Sequence, residues 1–300
     1  MSYKFNISML RIPALILLAV LFANTAYAEQ HAVELIHQLQ PDRDVVVKKN
    51  TDALITIQVL EDRGVIANSY GRLSLAPVTM NVRETESIRY ITGKRLKDRS
   101  FSTQVHYLEK ISIFRGPDGI PRIVPDNPPL QGVKVSAVIE GDGRPRHNSV
   151  KILGAESSLS KKIRLVIQNV LEQVASIPRV VLRPNEDVVQ DMPLQVPIPG
   201  LGVFDMTMKV SNRLQGVKDG IANVRQVYTM GVATEPRGWS CSGEGSGNGS
   251  ILYDTRSNTI LSAESITVMR MRLEGSDGVI EMRLSGKQTE STHTFAEPPN

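Results

Sequence analysis

The residues able to do chemistry are few in this chain. Its one cysteine, Cys241, stands in SCSGEGSGNGS (240–250), where Gly243, Gly245, Gly247 and Gly249 fall on every second position. A thiol or serine nucleophile there needs a base, ordinarily histidine, held by a third group. The five histidines, His31, His37, His106, His147 and His293, are dispersed, and nothing in the sequence brings one to Cys241. The text GWSCSG matches no signature of a nucleophilic cysteine. A phosphate site would require strand, glycine loop and helix in succession. Here the glycines run into ILYD and a hairpin, with no Gly-Lys-Ser/Thr ending. The structural reading is the stronger one. Alternating glycines leave one face of an extended segment bare, so that another backbone or a helix can approach it closely. Cys241 then reads as a buried, inert thiol.

Two other groupings could bind. Cleavage of the chain after Ala28 would expose Glu29-Gln30-His31, whose amine, amides and imidazole suit copper(II) or nickel(II), with His37 nearby. Met206, Met208, Met269, Met271 and Met282 all fall on inferred apolar faces. Such a stripe is ordinarily core packing; methionine is also flexible and polarizable and suits surfaces that accept variable apolar shapes. An apolar or acylated ligand would lie on these methionines, with Ile163, Ile167 and Val170 of a predicted helix as the opposite wall. The acid pairs Glu84/Glu86 and Asp187/Asp191 lie among polar residues and read as solvated charges.

The elements that must position these groups begin at residue 29. MSYKFNISMLR has Lys4 and Arg11 and no acid; an apolar run follows and ends in small residues at Ala26 and Ala28. This is the layout of a cleaved signal peptide, 1–28, too short in its apolar part to span a bilayer. No later segment is long and apolar enough to cross as a helix. The expected mature chain has 33 basic against 31 acidic residues, so nothing in its charge calls for nucleic acid. A single cysteine excludes an internal disulfide and a Cys-based zinc site.

A β-rich region is predicted over 29–155. ALITIQVL (53–60) alternates with period two, as do FSTQVHYLEKISIF (101–114) and VKVSAVIEGDGR (133–144). Pro117-Asp118-Gly119 supplies a turn. An amphipathic helix is predicted over 156–178, with Ile163, Val166, Ile167 and Val170 on its apolar stripe, a serine N-cap and Pro178 as a stop. Strands return over 179–300, with hairpins around Arg256–Asn258 and Gly275–Gly278. The expected fold is mainly β: an antiparallel meander, half-barrel or sandwich-like, with one central helix packed on the sheet.

LQGVKDGIANVRQVYTMGV (214–232) and GEGSGNGSILYDTRSNTILSAES (243–265) resemble β-rich bacterial envelope proteins of uncharacterised function, on turn residues Gly216, Asp219, Gly220, Ala222, Asp254, Thr255 and Asn258. That resemblance implies a β fold in the envelope and no catalytic residues. Long antiparallel strands around one helix are also similar to the half-barrels of periplasmic lipid and lipoprotein carriers. The expectation is a soluble periplasmic protein that is not an enzyme and holds an apolar or acylated envelope ligand. The alternative is a structural or assembly module acting through contacts with envelope proteins.

Overall fold

The computed structural model describes residues 32–35, 39–62, 76–124, 131–146, 148–154, 160, 164, 180–198, 202–234, 239–276 and 278–294. The strands formed among them are β1 (Val33–Leu35), β2 (Arg43–Asp62), β3 (Val78–Thr92), β4 (Phe101–Arg115), β5 (Pro121–Val124), β6 (Lys134–Ile139) and β7 (Lys151–Leu153). They continue with β8 (Val180–Leu182), β9 (Asp187–Ile198), β10 (Gly202–Lys218), β11 (Ile221–Thr234), β12 (Trp239–Asp254), β13 (Thr259–Gly275) and β14 (Gly278–Thr294).

All but β1 and β8 join one antiparallel sheet, in the order β7-β6-β4-β3-β2-β14-β13-β12-β11-β10-β9, with β5 also paired on β4. From β9 to β14 each strand pairs with the next in sequence. The pairing of β14 with β2, from Gly278↔Asp62 to Thr294↔Val45, ties this meander to the N-terminal strands. The strands on either side of residues 157–178 therefore form a single sheet.

Turn chemistry sets the hairpins. Asp219 (φ 53°) and Gly220 (φ 81°) are both left-handed between the closing pair Lys218↔Ile221. Two successive positive φ values make the tight turn whose twist matches the flanking strands, and glycine takes the second at no steric cost. The neighbouring β12–β13 turn, with Asn258 at φ 55°, docks on it: the Thr255 amide and hydroxyl both donate to the Gly220 carbonyl at 2.8 Å.

Burial alternates along the strands, most regularly in β13, so one face of the sheet is buried and the other exposed. β1 and β8 pair as a separate ribbon over one end of the buried face. There Val33, Leu35, Val180 and Leu182 pack with Leu214, Val224, Ile251 and Tyr253.

The expected central helix is the correction to the sequence reading. The described structure is nearly all strand; its helical residues, Ser160 and Arg164, form no described element. The predicted segment 156–178 lies outside the described residues except for Ser160 and Arg164. The second layer that the described chain does provide is the β1–β8 ribbon, built from runs of three residues too short to show a period. Among the described residues no helix is long and apolar enough to cross a membrane.

Candidate functional site

The antiparallel register turns scattered residues into rows across the buried face. One row runs through eight neighbouring strands: Met192, Met208, Met230, Gly245, Met269, Leu284, Ile55 and Met80. At about 4.8 Å per strand it is roughly 34 Å wide. The adjacent row holds Met206, Val232, Gly243, Met271, Met282 and Ile57. All five methionines singled out in the sequence are therefore brought together, in one cluster with Met80, Met192 and Met230. These eight are every methionine of the chain beyond Met9. The three other apolar clusters, the one under the β1–β8 ribbon included, contain none.

The glycines of β12 form part of this face. They do not leave it bare. A Cβ on Gly247 would stand 2.4 Å from the Ile266 carbonyl oxygen of β13 and 3.1 Å from the Tyr228 ring. Neighbouring side chains thus lean over the strip and fill it. The closely approaching backbone is that of β13. Cys241, at the margin of the cluster, is 2% exposed, and burial pushes its thiol up to about 11. That thiol is held away from nucleophilic chemistry.

Next to the methionine face the buried side turns polar. Asn212, Gln226, Gly249, Ser265, Gln288, Thr51, Glu84 and Ser112 share one register row. On one flank Tyr228 donates to Gln226 Oε1 at 2.6 Å, Gln226 Nε2 donates to Asn212 Oδ1 at 2.8 Å, and Asn212 Nδ2 donates to Gln190 Oε1 at 3.3 Å. On the other flank Ser112 Oγ donates to Glu84 Oε2 at 3.2 Å, and Lys110 Nζ lies 3.2 Å from Glu84 Oε1.

The following row alternates in charge through Glu290, Lys49, Glu86 and Lys110. Glu290 lies 3.8 Å from Lys49, and both are almost completely buried. Burial, only partly offset by Lys49 and reinforced by Glu86, pushes the Glu290 carboxyl up to about 7. Glu84 and Glu86 are therefore not the solvated pair the sequence suggested: Glu86 is 6% exposed, and the Glu84 side chain is ion-paired at 14%. Asp187 and Asp191 are half exposed or more, with Arg213 and Lys209 as partners. The signal for Glu84 and Glu86 was present, because period two places them on the side of Met80 and Tyr90. The charged row itself had none, since its members are joined only by register between distant strands.

On the exposed side, a cleft of about 270 Å³ lined by Asn50, Asp52, Arg83, Thr85, Lys287 and Thr289 holds the Asp52–Arg83 pair at 2.9 Å. Its charges largely answer each other. Ile163, Ile167 and Val170 lie outside the described residues, as do the copper or nickel ligands Glu29, Gln30 and His31. No group of three or more His, Cys, Asp or Glu among the described residues is placed to hold a metal ion.

No protein-family profile matches the chain, and no curated protein matches it. Among solved structures it is similar to one concerned with lipid–protein interactions in lipovitellin, at a TM-score of 0.40 and 12% identity. That similarity covers 87% of this chain and 26% of the other, so the chain spans about a quarter of that protein's length.

Proposed function

We propose that this is an exported, non-enzymatic binding protein of the cell envelope, acting in the periplasm, whose methionine face holds an apolar or acylated ligand. The observation that carries the reading is the segregation of methionine. Eight of the 21 residues of one apolar cluster are methionine, while the clusters elsewhere in the sheet are built from Val, Leu, Ile, Ala, Phe and Tyr. Packing alone gives no reason for such a division, because Leu and Ile hold their rotamers better in a fixed core. A surface that must conform to a flexible chain does give one.

The test is titration with the apolar dye N-phenylnaphthylamine and its displacement by laurate, followed by methyl NMR of methionine-labelled protein. Saturable dye fluorescence that acyl chains displace is expected, with the methyl signals of Met208, Met230 and Met269 shifting on addition. A protein whose methionine methyls stay unmoved at saturating amphiphile would refute the reading. Extraction of protein purified from its native compartment, followed by native mass spectrometry, would identify the natural ligand.

A further inference from the structure

The Gln288 amide nitrogen is the feature that packing leaves unexplained. The residue is 3% exposed, and among the described residues its Nε2 donates to no group. In the same row Gln226 has both ends of its amide engaged, by Tyr228 and by Asn212. A buried donor left unmade is costly, and folded proteins rarely keep one. Two residues further along β14, Glu290 is 5% exposed, and among the described residues its Oε2 is engaged by the Lys49 ion pair, long at 3.8 Å.

The surroundings of this pair are small and hydroxylated. Ser265 and Thr51 flank Gln288 in register, and Gly249 is the next residue across the sheet beyond Ser265. Gly286 precedes Gln288 on the same face, and a Cβ there would meet nothing closer than 3.6 Å. A donor, an acceptor and two hydroxyls therefore share two neighbouring rows, the nearer of them two rows from the methionines.

Charge and shape select the ligand. An anionic head group would face Glu290, with Glu84 and Glu86 in the same two rows against only Lys49 and Lys110. A quaternary ammonium would leave the Gln288 donor unmade. A hydroxyl both gives and accepts a hydrogen bond and satisfies both groups. Resting on the reading of the methionine face as an acyl-binding surface, we infer that Gln288 and Glu290, with Ser265 and Thr51, bind the neutral, hydroxyl-bearing head of an acylated ligand of the acyl glycerol or acyl sugar class.

The experiment compares monolauroylglycerol, laurate and dodecyltrimethylammonium, which share one tail length, by isothermal titration below their micellar concentrations. The protein is taken at about pH 8, with free glycerol as a further arm. Monolauroylglycerol binds roughly tenfold tighter than either charged amphiphile, the worth of one well-made buried hydrogen bond. Free glycerol does not compete, which separates an acylated ligand from a free polyol. The variant Gln288→Leu loses about that tenfold for monolauroylglycerol and leaves laurate unchanged. It also melts higher than wild type in the absence of ligand, because the orphaned amide is gone; this guards against reading misfolding as lost recognition. Equal affinity of Q288L and wild type for monolauroylglycerol overturns the inference, and so does laurate binding as tightly as the glycerol ester. If N-phenylnaphthylamine binds but no head group is preferred, the head-group inference alone falls. If neither the dye nor any of the three amphiphiles binds, the methionine-face reading falls with it.

Discussion

Gly247→Ala measures how closely β12 and β13 approach, and Gly231→Ala is its control within the same sheet. At Gly231 an added Cβ meets nothing within 4 Å, so alanine there only restricts the unfolded chain. It should stabilise the fold by about 0.5 kcal/mol. At Gly247 the same atom would lie 2.4 Å from the Ile266 carbonyl oxygen and 3.2 Å from Thr267 Cα. Ile266 is held in ladders with both β12 and β14, so the contact cannot be relieved by a side-chain rotation. One strand must move by about an ångström, and overpacking of that kind costs about 1–3 kcal/mol, here near the upper end. Subtracting the gain on the unfolded side leaves a net loss of about 2 kcal/mol. Urea unfolding followed by far-ultraviolet circular dichroism reads both variants against wild type. The reasoning is refuted if Gly247→Ala falls within about 0.5 kcal/mol of wild type, or if Gly231→Ala is destabilised as much.

Two further outcomes follow from buried groups. The Glu290 carboxyl, near 4.5 when unfolded and about 7 when folded, takes up a proton on folding between those values. Its ionisation therefore costs stability progressively as pH rises through that window, by about 3 kcal/mol once above it. Urea melts at several pH values should show the stability of wild type relative to Glu290→Gln falling by that amount between about pH 5 and pH 8, and a flat difference would refute the shift. The Cys241 thiol, pushed up to about 11 from an ordinary 9.0, has roughly a hundredfold less thiolate near pH 8 than a free cysteine. Labelling by Ellman's reagent should be slower by at least that factor in the native protein and become fast in guanidinium; stoichiometric native labelling within minutes would contradict it.

What was legible in the sequence was whatever lies within one strand or one turn. Met206, Met208, Met269, Met271 and Met282 alternate with charged or polar residues, and that alone placed them on one kind of face. Asp219-Gly220 and Asn258 announced their turns because few residues accept positive φ. The row in which Met192 and Met80 join the others was hidden, since register between β9, β10, β2 and β3 is a long-range property. The pairing of Glu290 with Lys49 is hidden for the same reason, since only register between β14 and β2 joins them. The glycine stretch was placed correctly in a strand, but its bareness was overestimated. A sequence shows that Gly247 lacks a side chain; it does not show that Tyr228 leans into the space.

The edges of the sheet bear on which surface can bind. An open sheet offers unpaired backbone groups at both sides, and these invite pairing with other chains unless they are blunted. At one side β9 carries Pro193 and Pro197, opposite Thr207 and Val203 of β10, and neither proline has an N–H to offer a further strand. At the other side the outermost strands are β7, of three residues, and β5, of four. Both borders are thus poor templates for strand addition. An assembly module working through sheet edges would need a long, proline-free border, which these strands do not supply. The proposed ligand is accordingly placed on a face of the sheet. Of the two, only the buried one segregates its methionines and sets a polar row beside them, and that is the surface on which a ligand with an apolar tail and a polar head would be expected.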